Sequence, residues 1–211
     1  MPHNRLPLTS RPLDLIYFLF FLIHIPVTLL LDIQALYPHQ YVPEQLRSLI
    51  NWYLQWSADP VMAGVFGLNG PPALWVWFKS FLILEAIFQL PVFLVCIQAL
   101  WKDSRTSYPL LLIYSASSAT TTIACIATVL RTPISSTPVP ATLLTPFSDL
   151  PKSALGTTGL TITPEQRTAV LSGYIPFLLV QVLMCVDIAV RVAGLVAAGL
   201  RAQARKTLKF E

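Results

Sequence analysis

Two acidic residues stand inside stretches that are otherwise apolar: Asp32 in "YFLFFLIHIPVTLLLDIQAL" (17–36) and Glu85 in "SFLILEAIFQLPVFLV" (80–95). In a helix that crosses a bilayer one acidic residue costs about 2.5 kcal/mol or more, so it marks a functional position by default. A carboxyl in such a place can seat an ammonium or accept from a hydroxyl. Two together can also act as acid and base: one protonates a carbon of a double bond, the other removes a proton, and aromatic rings steady the carbocation between them. Carboxyls sharing one cavity repel when both are ionised. Glu85, next to Phe81 and Phe88, is therefore expected to be the protonated member, donating a hydrogen bond to an ionised Asp32.

Other polar residues fall on the same helical faces. His24, Thr28 and Asp32 are successive i+4 neighbours, and Glu85 and Gln89 are another such pair. Tyr114, Ser117, Ser118 and Thr121 share a face further on, and Tyr174 and Gln181 are seven apart. Stripes of this kind are stable only when they point away from lipid, which predicts a partly polar cavity. A structural reading stands beside the chemical one. The same residues suit interhelical hydrogen bonds and close packing, and His24 fits a structural donor better than a base. Asp187 and Arg191, at i+4, read as an ion pair near a membrane surface.

The elements that must position these groups follow from composition. Of 211 residues, 55% are hydrophobic and 11% charged, against about 25% charged in soluble domains. Four windows, about 13–36, 80–100, 109–130 and 170–200, are each long enough to span a bilayer as a helix. None shows the alternation of a membrane barrel. The expected fold is an all-α membrane protein: one domain over 1–211, a four-helix bundle with a ligand cavity in its lumenal half. The first window reads as a span rather than a cleaved leader, because the apolar run continues past a signal core. Pro26, Pro91 and Pro176 are expected to kink their spans. Cys96, Cys125 and Cys185 lie in apolar windows and form no disulfide or metal pattern, so no metal or other cofactor is expected.

Basic residues set the orientation. Placing both termini and the "WKDSRTSY" loop in the cytosol gathers eight of them there and leaves five on the other side. The net charge of +4 is this topology signal, and no nucleic-acid partner is needed to explain it. At about 1.5 Å per residue, Asp32 lies roughly 29 Å along the first span and Glu85 roughly 9 Å into the second, so both sit in the lumenal leaflet. The first lumenal segment, 37–78, contains "PEQLRSLINWYLQW", an amphipathic helix by the spacing of Leu46, Leu49, Ile50, Tyr53 and Leu54, and then "ADPVMAGVFGLNGPPALW", which reads as a loop. The second, 131–167, is rich in Pro, Ser and Thr and is expected to be an extended, mobile connector.

The strings "HIPVTLLLDIQ", "INWYLQWSADP", "WFKSFLILEAIFQLP", "LLIYSASSATTTI" and "GYIPFLLV" make the chain resemble the sigma-2 receptor (transmembrane protein 97) family of the EXPERA superfamily. That superfamily also holds the emopamil-binding protein, a sterol isomerase. The resemblance implies that Asp32 and Glu85 are the two binding-site carboxyls. It makes Asp59 of "ADP" a structural lumenal-loop acid and places His24, Gln89 and Thr121 in the pocket. Tyr114, Tyr174 and Phe177 complete the candidate ligand-binding set; Phe177 stands where the family has a Tyr, and both lumenal segments are longer here. The implied function is an endoplasmic-reticulum protein binding sterols and lipophilic, cationic amphiphilic amines, tied to sterol homeostasis. Its implied partners are the bilayer, a second copy in a homodimer and a sterol-transport protein. The alternative from the residues themselves is an isomerase or cyclase on a sterol or terpenoid, with Glu85 as acid and Asp32 as base.

Overall fold

The computed structural model describes residues 6–136 and 161–207. Most of the expected Pro- and Ser-rich connector, 137–160, lies outside them. Four helical stretches are long and apolar enough to cross a membrane: Pro12–Leu36, Pro72–Trp101, Arg105–Arg131 and Pro164–Thr207. Their side chains show where lipid would be. Ile113, Leu179 and Val190 all point outward, and Ile87 is 75% exposed, an arrangement that only an apolar surround tolerates. Among the described residues there is no strand. A single parallel bridge, Ile134 to Ile162, ties together the two ends of the undescribed segment.

The described residues form seven α-helices, five within these stretches and two between the first and the second. Helix α1 (Pro12–Leu30) opens on a proline, whose missing N–H matches a position that has no intrahelical acceptor anyway. It contains Pro26, and after Leu31 (φ −121°) the chain tightens into a 3-10 turn, Asp32–Leu36. Helix α2 (Glu44–Ser57) buries Ile50 and Leu54 from its predicted apolar face and leaves Trp52 and Trp56 outside. Those two rings stack 6.5 Å apart and only 7° from parallel, in the manner of aromatic side chains at a membrane interface.

Helix α3 (Pro60–Val65) corrects the reading of this stretch as a loop. Asp59 is its N-cap and Pro60 its first residue, a starting signal that the neighbouring glycines obscure. Gly64 is required there. The Trp75 ring lies so close that a Cβ on Gly64 would stand 2.1 Å from it, and Trp75 Nε1 donates to the Asn69 carbonyl at 2.6 Å.

The second span begins at Pro72 instead of about 80 and is broken in the middle: α4 (Val76–Leu84), a π-turn (Glu85–Gln89) and α5 (Leu90–Trp101). Helix α6 (Tyr108–Arg131) runs along α7 (Pro164–Thr207), α1 packs on α5, and α5 meets α6, which closes the four-span bundle. Helix α7 has 44 residues, roughly 66 Å at the usual rise, against about 30 Å of hydrocarbon. Arg191 meets the start of α6 at Tyr108, and residues 193–207 are exposed beyond it.

The core falls into two parts. One joins α2, α3 and α4 to the facing ends of α6 and α7 through Ile50, Leu54, Val61, Trp75, Phe78 and Val129. The other is an aromatic plug of Tyr17, Phe21, Phe93 and Tyr114. The Phe21, Phe93 and Tyr114 rings lie 5.2–5.4 Å apart.

Beyond this plug is an ionic cluster larger than the expected Asp187–Arg191 pair. That pair is present at 2.8 Å, and Arg191 also reaches Asp14 at 2.7 Å. Arg11 binds the other oxygen of Asp14, donates to the Leu100 carbonyl at 2.8 Å and lies 3.5 Å from Asp103. Tyr17 donates to Asp187 at 3.1 Å. Asp14, which the sequence reading passed over, is thus the anion shared by two arginines on different spans, and it is only 3% exposed.

Asp14→Ala leaves both arginines without that anion. The expected loss is about 2 kcal/mol, below the 3–5 kcal/mol of a fully buried broken pair because Arg191 keeps 26% of its surface. A lowered thermal unfolding midpoint in detergent is the readout; an unchanged midpoint would mean that the cluster carries no such weight.

Candidate functional site

A cavity of about 490 Å³ opens between α1, the α4–α5 junction, α6 and α7, with Tyr53 of α2 and Met62 of α3 at its edge. The break in the second span positions its acidic wall. Pro91 has no N–H with which to continue the helical ladder, and the preceding turn widens so that the Leu90 N–H bonds the Glu85 carbonyl five residues back. Glu85 and Gln89 both line the cavity from this widened turn.

Helix α1 grips Glu85 at two points. Thr28 Oγ1 donates to Glu85 Oε1 at 2.6 Å, and His24 Nε2 stands 3.5 Å from the same oxygen. The imidazole lies among three rings, with centroids 4.6 Å from Phe177, 5.0 Å from Phe93 and 5.6 Å from Phe20. Asp32 lines the same cavity, but no hydrogen bond joins it to Glu85 or, among the described residues, to any other side chain. The expected hydrogen bond between the two carboxyls is therefore corrected. The helical stripe ends with α1 at Leu30, and Asp32 belongs to a 3-10 turn with its own direction. Of the three stripe residues, it is His24 and Thr28 that reach Glu85.

Helices α6 and α7 supply a neutral polar wall. Gln181 Nε2 donates to Ser118 Oγ at 2.5 Å, and Thr122 Oγ1 reaches Gln181 Oε1 at 3.1 Å. Ser118, Thr121 and Thr122 line the cavity, as do Tyr174 and Phe177. Thr122 was not singled out from the sequence, although it sits one helical turn from Ser118. Gln89 is 4% exposed, and its amide has no hydrogen-bond partner among the described residues. Tyr114 is displaced from the expected set. It does not line the cavity, because its place on α6 puts the ring between Phe21 and Phe93 in the aromatic plug.

Asp59 organises the wall from behind. Its Oδ1 accepts from the Val61 and Met62 amides at 2.9 and 3.3 Å, and its Oδ2 accepts from the Tyr53 and Tyr174 hydroxyls at 2.8 and 3.0 Å. Burial raises its carboxyl above the ordinary value, while the four donors pull it back. Burial, and then the nearby Asp59 charge, push the Tyr53 phenol upward. The result is one side chain tying α2, α3 and α7 together at the cavity rim. Among the described residues no three His, Cys, Asp or Glu side chains are grouped so as to hold a metal ion.

The family model for EXPERA, the expanded EBP superfamily, matches residues 45–188. That stretch includes Asp59, Glu85, Gln89, Thr121, Tyr174 and Phe177. The Sigma intracellular receptor 2 of Xenopus tropicalis is 37% identical over 176 residues, 83% of this chain and 86% of that protein. The Sigma intracellular receptor 2 of Homo sapiens is 34% identical over 184 residues, 85% of this chain and 89% of that one.

The geometry at Asp59 leads to a test. Tyr53→Phe or Tyr174→Phe should each cost about 1–2 kcal/mol of stability, and the pair together more, since Oδ2 is then buried without a donor. Thermal unfolding of the two single variants and the double variant measures this. Unfolding temperatures equal to that of the parent protein would remove Asp59 as the anchor.

Proposed function

The chain belongs to the EXPERA superfamily, and from that premise we propose that it is a non-enzymatic membrane receptor for sterols and lipophilic amines, with Asp32 as the seat of the ligand's ammonium or hydroxyl. One observation carries this reading. Asp32 faces a largely apolar cavity with no hydrogen-bonded partner among the described residues, whereas Glu85 is already held by Thr28 and His24. A buried polar group left open toward a cavity is what a ligand satisfies.

The cavity volume lies within the range of about 300–1,000 Å³ common for small-molecule sites. Phe78, Phe81, Leu82 and Val170 offer apolar contact to a ring system, and the rings of Tyr174 and Phe177 offer cation-π stabilisation to an amine. Phe177 has no hydroxyl to contribute, so Tyr174 supplies the phenol on this wall, and that phenol is already committed to Asp59.

The protein acts, in this reading, in the endoplasmic-reticulum membrane as a homodimer. Both termini lie on the cytosolic side, and the protein serves sterol homeostasis or trafficking with a sterol-transport protein as partner. The distribution of basic residues supports the orientation, and the family and its sigma receptor relatives support the ligand class.

A second reading has one observation in its favour: both carboxyls line the same cavity, as an acid and base acting on a sterol or terpenoid double bond would. Incubating the purified protein with delta-8 sterols in deuterated water separates the two. Receptor function predicts unlabelled, unchanged sterol; label in an isomerised product that vanishes in Glu85→Gln would establish the isomerase.

For the receptor itself, Asp32→Asn should weaken binding of a radiolabelled cationic amphiphile by about a hundredfold or more, equivalent to about 2.8 kcal/mol, with the unfolding temperature held. Unchanged affinity in a folded variant would take Asp32 out of the site.

A further inference from the structure

We propose that a groove at the Asp59 end of the bundle, separate from the ligand cavity, holds an anionic phospholipid, with its phosphate on Arg131 and its chains along the outer face of α6. The groove offers about 480 Å³ between the α3–α4 connection, through Asn69 and Trp75, and the end of α6, through Ala127, Thr128, Arg131 and Thr132. It shares no lining residue with the cavity that holds Asp32 and Glu85.

Charge decides the class of ligand. Arg131 is the only charged side chain lining the groove; it is exposed and has no carboxylate partner among the described residues. The Thr128 and Thr132 hydroxyls donate to the Ala124 and Thr128 carbonyls, and Asn69 Nδ2 donates to the Pro60 carbonyl, which leaves the guanidinium as the chief donor. A second guanidinium stands at the rim. Arg167 Nη2 donates to the Thr132 carbonyl, while its Nε is buried without a hydrogen-bond partner. The part-buried arginines at the other end of the bundle, Arg11 and Arg191, are both matched by carboxylates. Arg167 is part-buried too, yet no carboxylate among the described residues pairs with it. The closest acid along α7, Glu165, is exposed and bonded to the Thr163 hydroxyl. Two positive side chains flanking Thr132 without a carboxylate attract an anion, and the planar guanidinium matches a pair of phosphate oxygens.

Position selects a lipid as the source of that phosphate. One apolar spanning stretch begins at Pro72 and another ends at Arg131, so the groove lies where headgroups meet hydrocarbon. Below Ala127 the outer face of α6 continues through Ile123, 54% exposed, and Leu130 flanks the groove at 52%. An acyl chain covers such a surface, whereas a free phosphate leaves it bare.

Native mass spectrometry of the full-length protein in detergent, with phosphatidylserine and phosphatidylcholine of matched chains, tests this. The parent protein should hold phosphatidylserine about tenfold more tightly, equal to about 1.4 kcal/mol. Arg131→Gln should bring the two lipids within about threefold, with the lipid-free unfolding temperature held because the side chain is exposed. Ala127→Trp fills the groove while keeping every charge, and should weaken phosphatidylserine by a similar factor. Arg201→Gln removes an exposed charge at the far end of α7 and should leave the preference intact. A preference untouched by Arg131→Gln or Ala127→Trp, or lost equally in Arg201→Gln, overturns the proposal. Glycerophosphoserine, which has the headgroup without the chains, should bind far more weakly than the lipid; equal binding would overturn the lipid as occupant.

Discussion

The short contact from the Thr28 hydroxyl to Glu85, with His24 beside the same oxygen, is the interaction around which the bundle is arranged. Within a bilayer no water is present to satisfy a carboxyl, so Glu85 must find its partners on a neighbouring helix. Helix α1 supplies them one turn apart, which fixes both the rotation and the height of α1 against the α4–α5 junction. The widened turn at Glu85–Gln89 is the complementary device on the other side. Because Glu85 is satisfied there, Asp32, past the end of α1, remains free to face the cavity.

Two other polar assemblies hold the rest of the frame, and each sits at an end. Toward one end, Asp59 fastens three helices through two amides and two phenols, which steadies Tyr53 and Tyr174 where they line the cavity. Toward the other, Asp14 joins Arg11, just before α1, to Arg191 of α7 beneath the aromatic plug of Phe21, Phe93 and Tyr114. The plug separates this ionic cluster from the cavity, so the charges at the far end do not fill the site. Between them, Ser118, Thr122 and Gln181 bond mainly to each other and form a neutral wall.

Much of this was legible because the bilayer makes polar residues conspicuous. Asp32, Glu85, His24, Gln89 and Thr121 could be named from their type and helical spacing, and all five line the cavity. The four spans followed from length and apolarity. What sequence did not reveal depended on where helices stop and how they meet. The i+4 rule assumes an unbroken helix, and α1 gives way before Asp32, so the predicted bond between the carboxyls does not form. Asp14 follows Arg11 at the start of a span and looks like a solvated flank until α7 brings Arg191 to it. Asp59 and Pro60 did carry a readable helix start, which the glycines after them masked. Tyr114 shares a face with Ser118 but lies deep enough to belong to the plug, and depth of that kind comes only from packing.

The central claim is that Asp32, rather than Glu85, is the open charge of the cavity. An experimental structure of the protein with a cationic amphiphile bound tests it most directly. The account predicts the ammonium nitrogen within about 3 Å of the Asp32 carboxylate, with Thr28 and His24 still on Glu85. An ammonium seated on Glu85 with Thr28 displaced, or a ligand outside the cavity altogether, would contradict it.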